Sequence, residues 1–191
     1  MEMSEKTKNM AVTAVMTAVI CVMAPFSIPI GPVPVSLATL VILLAVYILG
    51  MRRALIAVVL YLLIGLAGVP VFSGFSSGPA KLVGPTGGYL LGYIPMVILA
   101  GLVIDRYYRN RLISIAGMAA ATALLYALGT AYLAYSTGIT FEAALAAGVL
   151  PFIPLDAIKI VTAAILGPMI RARVERAGLI SLSLSDSRCN S

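Results

Sequence analysis

Residues 10–51 read MAVTAVMTAVICVMAPFSIPIGPVPVSLATLVILLAVYILGM, 42 positions without an Asp, Glu, Lys or Arg. A helix crosses the apolar part of a bilayer in roughly 20 residues, so this run is long enough for two crossings. The segment IPIGPVP, residues 28–34, supplies the break, because three prolines and a glycine cannot continue a helix without a kink. Further uncharged runs follow at 54–80, 82–104 and 112–141. Together they predict six spans near residues 11–27, 36–51, 54–69, 85–104, 112–135 and 151–170.

Composition supports a bilayer as the solvent. Of 191 residues, 61% are hydrophobic and 10% charged, and the mean hydropathy is +1.08, more apolar surface than one globular core can bury. The net charge of +6 does not point to nucleic acid, since the basic residues sit in short clusters between apolar runs. Lys6 and Lys8 precede the first span, Arg52 and Arg53 follow the second, Arg106, Arg109 and Arg111 the fourth, and Arg171, Arg173 and Arg176 the sixth. The other connections hold only Lys81, so ten basic residues stand against one. The positive-inside rule then places both termini in the cytoplasm and makes the number of spans even. The expected fold is an all-α integral membrane protein, a bundle of six transmembrane helices with both termini cytoplasmic. Residues 1–176 form a single membrane domain, and 177–191 a polar, flexible tail whose LISLSLS stretch finds no sheet to join.

The outward connections are the Gly/Pro-rich ones: IPIGPVP, GVPVFSGFSSGPAKLVGPTGG and STGITFEAALAAG. Irregular backbone near membrane depth is tolerated where it packs in protein or lines a cavity, which indicates a site opening outward. A retained first span is expected in place of a cleaved signal, because further apolar runs follow it. Cys21 lies in an apolar run and Cys189 in the tail, so neither a disulfide nor a metal site is expected.

Asp156 and Lys159 interrupt the sixth span, within PFIPLDAIKIVTAAILGPMI. An i, i+3 spacing brings them to one helix face, and ionised groups inside a bilayer are costly unless they pair or face a polar cavity. The bland account is a self-satisfied salt bridge with Lys159 snorkelling outward. Contact with a substrate is the favoured one, the ammonium suiting a ligand carboxylate and the carboxylate suiting N–H donors. In VGPTGGYLLGY, residues 83–93, Gly88 and Gly92 are spaced for close helix packing. Tyr89 is open to two readings, an interfacial belt residue or the wall of a pocket. No Gly-Lys dipeptide occurs, which excludes a P-loop and with it direct ATP binding. Ala11, Ala14 and Ala18 make a small-residue stripe, suited either to packing within the bundle or to docking of another helix. Catalysis has no support: the chain lacks His, and a single intramembrane carboxylate cannot form an aspartyl dyad.

AVMTA with IPIGPVPVSLATL, YLLIGLAGVPVF, GPTGGYLLGY and PFIPLDAIK together resemble BioY, the biotin-specific substrate-binding (S) component of energy-coupling-factor (ECF) transporters. The resemblance covers most of the membrane part. It implies a multi-pass S component of the bacterial plasma membrane that captures biotin from outside and needs no cofactor. The implied partners are a transmembrane coupling (T) subunit and two ATP-binding subunits that supply the energy. It also implies that Asp156, Lys159, Tyr89, Thr39 and Thr86 line the biotin site, with Lys159 near the valerate carboxylate, and that Ala14 and Ala18 meet the coupling subunit. The family usually has Gln between the leucine and threonine where Ala38 stands here, so no polar contact is expected from that position. The competing function is a membrane-embedded structural or lipid-handling protein in which Asp156 and Lys159 form an internal bridge only.

Overall fold

The computed structural model describes residues 5–30, 33–108 and 110–180. Arg109, Cys189 and the LISLSLS stretch from residue 181 onward lie outside the described residues. Each predicted apolar stretch is occupied by a helix: α1 (Glu5–Met23), α2 (Ala38–Leu49), α3 (Met51–Leu66), α5 (Gly87–Tyr107), α6 (Arg111–Thr137) and α8 (Ile153–Arg176). The short helices α4 (Pro79–Val83) and α7 (Phe141–Gly148) lie in the connections.

Among the described residues three helices, α5, α6 and α8, are long and apolar enough to cross a bilayer. Helix α1 carries Glu5, Lys6 and Lys8 in its first turns, and α2 and α3 are only 12 and 16 residues long. The break between α2 and α3 falls at Gly50, whose φ of 75° is readily taken only by glycine, just ahead of the predicted Arg52–Arg53 boundary. Asp105, near the end of α5, accepts from the Met51 amide at 3.0 Å and so caps the start of α3.

Helix α2 is the centre of the bundle, with ten of its 12 residues buried. It packs along α8 and also meets α1, α3 and α5, while α5 runs closely along α6. Gly88 and Gly92 serve close packing as expected: a Cβ on Gly88 would meet the Tyr132 side chain, and one on Gly92 would meet Leu125. Large apolar side chains are left outward, among them Ile158, Val161, Ile165 and Met169 of α8. Such a surface suits lipid.

Two expectations need correction. The chain is mostly helical, but the residues on either side of the break are not irregular: β1 (Ser27–Ile30) pairs antiparallel with β2 (Val33–Ser36). The Leu37 amide donates to the Phe26 carbonyl at 3.2 Å, which makes that facing pair a hydrogen-bonded one. Alternation along an antiparallel ladder then puts the facing Pro29 and Pro34 at a non-hydrogen-bonded pair, where a missing N–H costs no ladder bond. The connection STGITFEAALAAG is likewise not irregular throughout. Its FEAALAAG becomes α7, because alanine and leucine favour helix and Thr140 caps it, Oγ1 accepting from the Ala143 amide at 3.3 Å. At the other end α8 stops at Arg176, Gly178 takes a positive φ of 64°, and Ile180 is buried against the core.

Candidate substrate-binding site

Asp156 sits in the first turn of α8, one turn ahead of Lys159, and both are buried. Lys159 Nζ donates to Asp156 Oδ1 at 2.7 Å, to the Ser36 carbonyl at 2.8 Å and to Thr39 Oγ1 at 3.1 Å. An ammonium has three donors, so all of them are engaged within the protein. Asp156 is held from the other side by Tyr126 of α6, whose hydroxyl donates to Oδ2 at 2.5 Å. An ionised carboxylate accepts at about four lone-pair sites, which leaves Asp156 with capacity for a further N–H donor. The group is thus neutralised, oriented and unsaturated.

These residues line one cavity, roofed by β2 and walled by Tyr61, Tyr89, Tyr93 and Tyr126. Thr39 and Thr86 also line it. Thr39 is part of the Lys159 cluster, whereas Thr86 precedes α5 without a side-chain capping bond. Tyr89 is buried, so it is not a belt residue. Its hydroxyl donates to the Gly148 carbonyl at 3.0 Å and lies 3.2 Å from Thr130 Oγ1. With its polar end tied down, the ring offers an apolar wall. Gly129 and Gly148 permit this, since a Cβ on either would strike the Tyr89 side chain.

Ala38 is buried beside this cluster but does not line the cavity; its amide donates to Ser36 Oγ at 2.8 Å. The other sequence-selected group lies elsewhere. Ala14 and Ala18 are exposed on α1, next to Ala11 and Val15 and opposite buried Thr13, Thr17 and Ile20, so they do not serve packing within the bundle.

A profile described as the BioY family matches residues 1–176. The chain belongs to the BioY family. A biotin transporter BioY of Thermotoga maritima is 38% identical over 152 residues, covering 80% of this chain and 89% of that one. A biotin transporter BioY2 of Lactococcus lactis is 36% identical over 168 residues, covering 87% of this chain and 92% of the relative. The crystal structure of the S-component for biotin from an ECF-type ABC transporter superposes with a TM-score of 0.83 at 28% identity. That match covers 90% of this BioY-family chain and 95% of the other.

Sequence reading did not single out Tyr126, Tyr93, Tyr61 or Ser36. Tyr93 had a usable signal, four residues after Tyr89 and therefore on the same helix face. Ser36 contributes its backbone carbonyl, and Tyr126 stands in an apolar helix like any lipid-facing tyrosine, so neither carried one.

Proposed function

We propose that this chain is the S component that captures biotin from the outer side of the plasma membrane for ATP-driven uptake by an ECF transporter. The observation that carries the reading is the buried Asp156–Lys159 pair facing a tyrosine-walled cavity, held by Tyr126 with acceptor capacity to spare. The cyclic urea of biotin presents N–H donors to Asp156, and its bicycle lies against Tyr89 and Tyr93. Lys159 takes the valerate carboxylate by exchanging one of its present acceptors, while Thr39 and Thr86 add hydroxyls. The names and near-complete coverage of the relatives support the same ligand.

In this reading the chain crosses the membrane six times with both ends in the cytoplasm. The ten-to-one distribution of basic residues among the connections supports that topology. Ala14 and Ala18 present a smooth, exposed helix face to the transmembrane coupling subunit, and two ATP-binding subunits hydrolyse ATP.

One observation favours a second reading. Every Lys159 donor is satisfied internally, as a purely structural bridge in a lipid-handling or structural protein would require. Calorimetric titration of the purified chain with biotin separates the two. Saturable one-to-one binding supports the S component, and absence of binding by the folded protein supports the structural bridge.

A further inference from the structure

The break between α2 and α3 frees two backbone groups that a continuous helix would join, the Tyr47 carbonyl and the Met51 amide. A charged side chain of matching sign comes to each from another helix. Asp105 of α5 accepts from the Met51 amide at 3.0 Å, and Arg171 of α8 donates through Nη1 to the Tyr47 carbonyl at 3.5 Å. The acid thus sits at the positive end of the α3 dipole and the base at the negative end of the α2 dipole. Arg171 is only 2% exposed, lies over the Tyr108 ring at 4.3 Å and donates through Nε to Glu175 at 3.0 Å. Glu175 balances its charge and the ring covers its plane, which leaves Nη1 fixed toward α2.

Four helices meet at this break, and the same four line the cavity at their other ends: α2 with Thr39, α3 with Tyr61, α5 with Tyr89 and Tyr93, and α8 with Asp156 and Lys159. Between its two polar ends α8 buries Ala163, Ala164 and Gly167, and a Cβ on Gly167 would strike the Tyr47 side chain. Small residues let α2 and α8 approach closely, but they leave little to stop one helix sliding along the other. Polar contacts at the two ends therefore set the register. At the cavity end Lys159 donates to the Ser36 carbonyl and to Thr39; at the far end Arg171 donates to Tyr47.

We infer that Arg171 is a positioning residue for biotin binding: by tying the end of α2 to α8, it keeps Ser36 and Thr39 seated on Lys159, roughly 18 Å away along α8 at 1.5 Å per residue. The inference rests on the biotin reading and names a residue outside the cavity on which that site depends.

The test is calorimetry with biotin on the full chain. Arg171→Met should weaken biotin about tenfold, and Thr39→Val, which removes one acceptor of Lys159, about threefold. Thr39 and Arg171 share no partner, so independent losses would multiply. If Arg171 acts through the seating of Lys159 on α2, the double variant should lose at least about threefold less than the product. Unchanged affinity in Arg171→Met, or a combined loss equal to or above the product, would overturn the inference. A folding defect alone lowers the melting temperature and leaves the affinity of the folded fraction as it was. Should Arg171→Met not fold, Arg171→Lys, which keeps the charge and loses the planar fork, is read in the same cycle. A wild type that does not bind biotin would sink the biotin reading itself, an outcome distinct from failure of the cycle.

A measurement on the wild type needs no variant. Coupling between two sites is reciprocal, so biotin must tighten the break if the break serves biotin. Amide exchange at residues 50–54 should slow on saturation with biotin at least about threefold more than at residues 9–13 of α1. Equal slowing at both segments, or none at the break, would overturn the inference.

Discussion

The Tyr126 hydroxyl donates to Asp156 Oδ2 across 2.5 Å, joining the middle of α6 to the first turn of α8. With Lys159 on Oδ1, it fixes the plane of the carboxylate, so the remaining acceptor direction is set before any ligand arrives. A site organised in this way avoids ordering its own side chains on binding.

Tyr126→Phe removes that donor and little else. A hydrogen bond to a charged group contributes about 1.5–3 kcal/mol, so biotin affinity should fall by roughly one to two orders of magnitude. Calorimetry on the folded variant checks this, and unchanged affinity would show that Tyr126 does not orient the acceptor.

Gly129→Ala drives a methyl group into the Tyr89 ring. Overpacking of this kind costs about 1–3 kcal/mol, through a displaced ring or a shifted backbone, and the Tyr89 ring that would be displaced lines the cavity. Both the melting temperature and biotin affinity should drop. A fall in stability alone would mean that Tyr89 is a packing residue and no wall of the site.

Topology is open to a labelling experiment, after Cys21 and Cys189 are replaced by serine. Arg52→Cys and Arg106→Cys should be shielded from an impermeant thiol reagent in intact cells, and Ala80→Cys should react. All three positions are exposed in the structure, so burial cannot account for the difference. Equal labelling at inner and outer positions would sink the six-span arrangement.

Ala14→Leu and Ala18→Leu place bulk on an exposed helix face without disturbing the core. Co-purification with the coupling subunit and biotin uptake should both fall, while binding by the isolated chain stays within about twofold. Loss of binding in parallel with assembly would assign the stripe to the fold of this chain.

Much of this was legible in the residues. The uncharged runs and the arginine clusters between them located the long helices, since bilayer burial leaves a coarse signal that local detail rarely hides. The strand pair was not legible, because prolines read as breaks, and only the pairing of Pro29 with Pro34 explains why a ladder survives them. Helix α7 was hidden by the glycine and threonines ahead of it. In the site, Asp156 and Lys159 stood out because charge inside a span is costly. Their partners did not, since Tyr126 is contributed from 30 residues away and Ser36 through its backbone. Such contacts depend on how α2, α6 and α8 pack, which no local pattern encodes.

The most direct test of the biotin site is a two-by-two cycle of protein and ligand, wild type and Lys159→Met against biotin and its uncharged primary amide. If Lys159 holds the carboxylate, biotin should lose on the order of 2–5 kcal/mol in the variant, whereas the amide, already lacking that contact, should lose little more. The coupling energy should therefore be a large part of the biotin loss. If the pair is only a structural bridge, the variant leaves Asp156 without its cation and weakens acid and amide alike. A coupling near zero in a folded Lys159→Met protein would contradict the account.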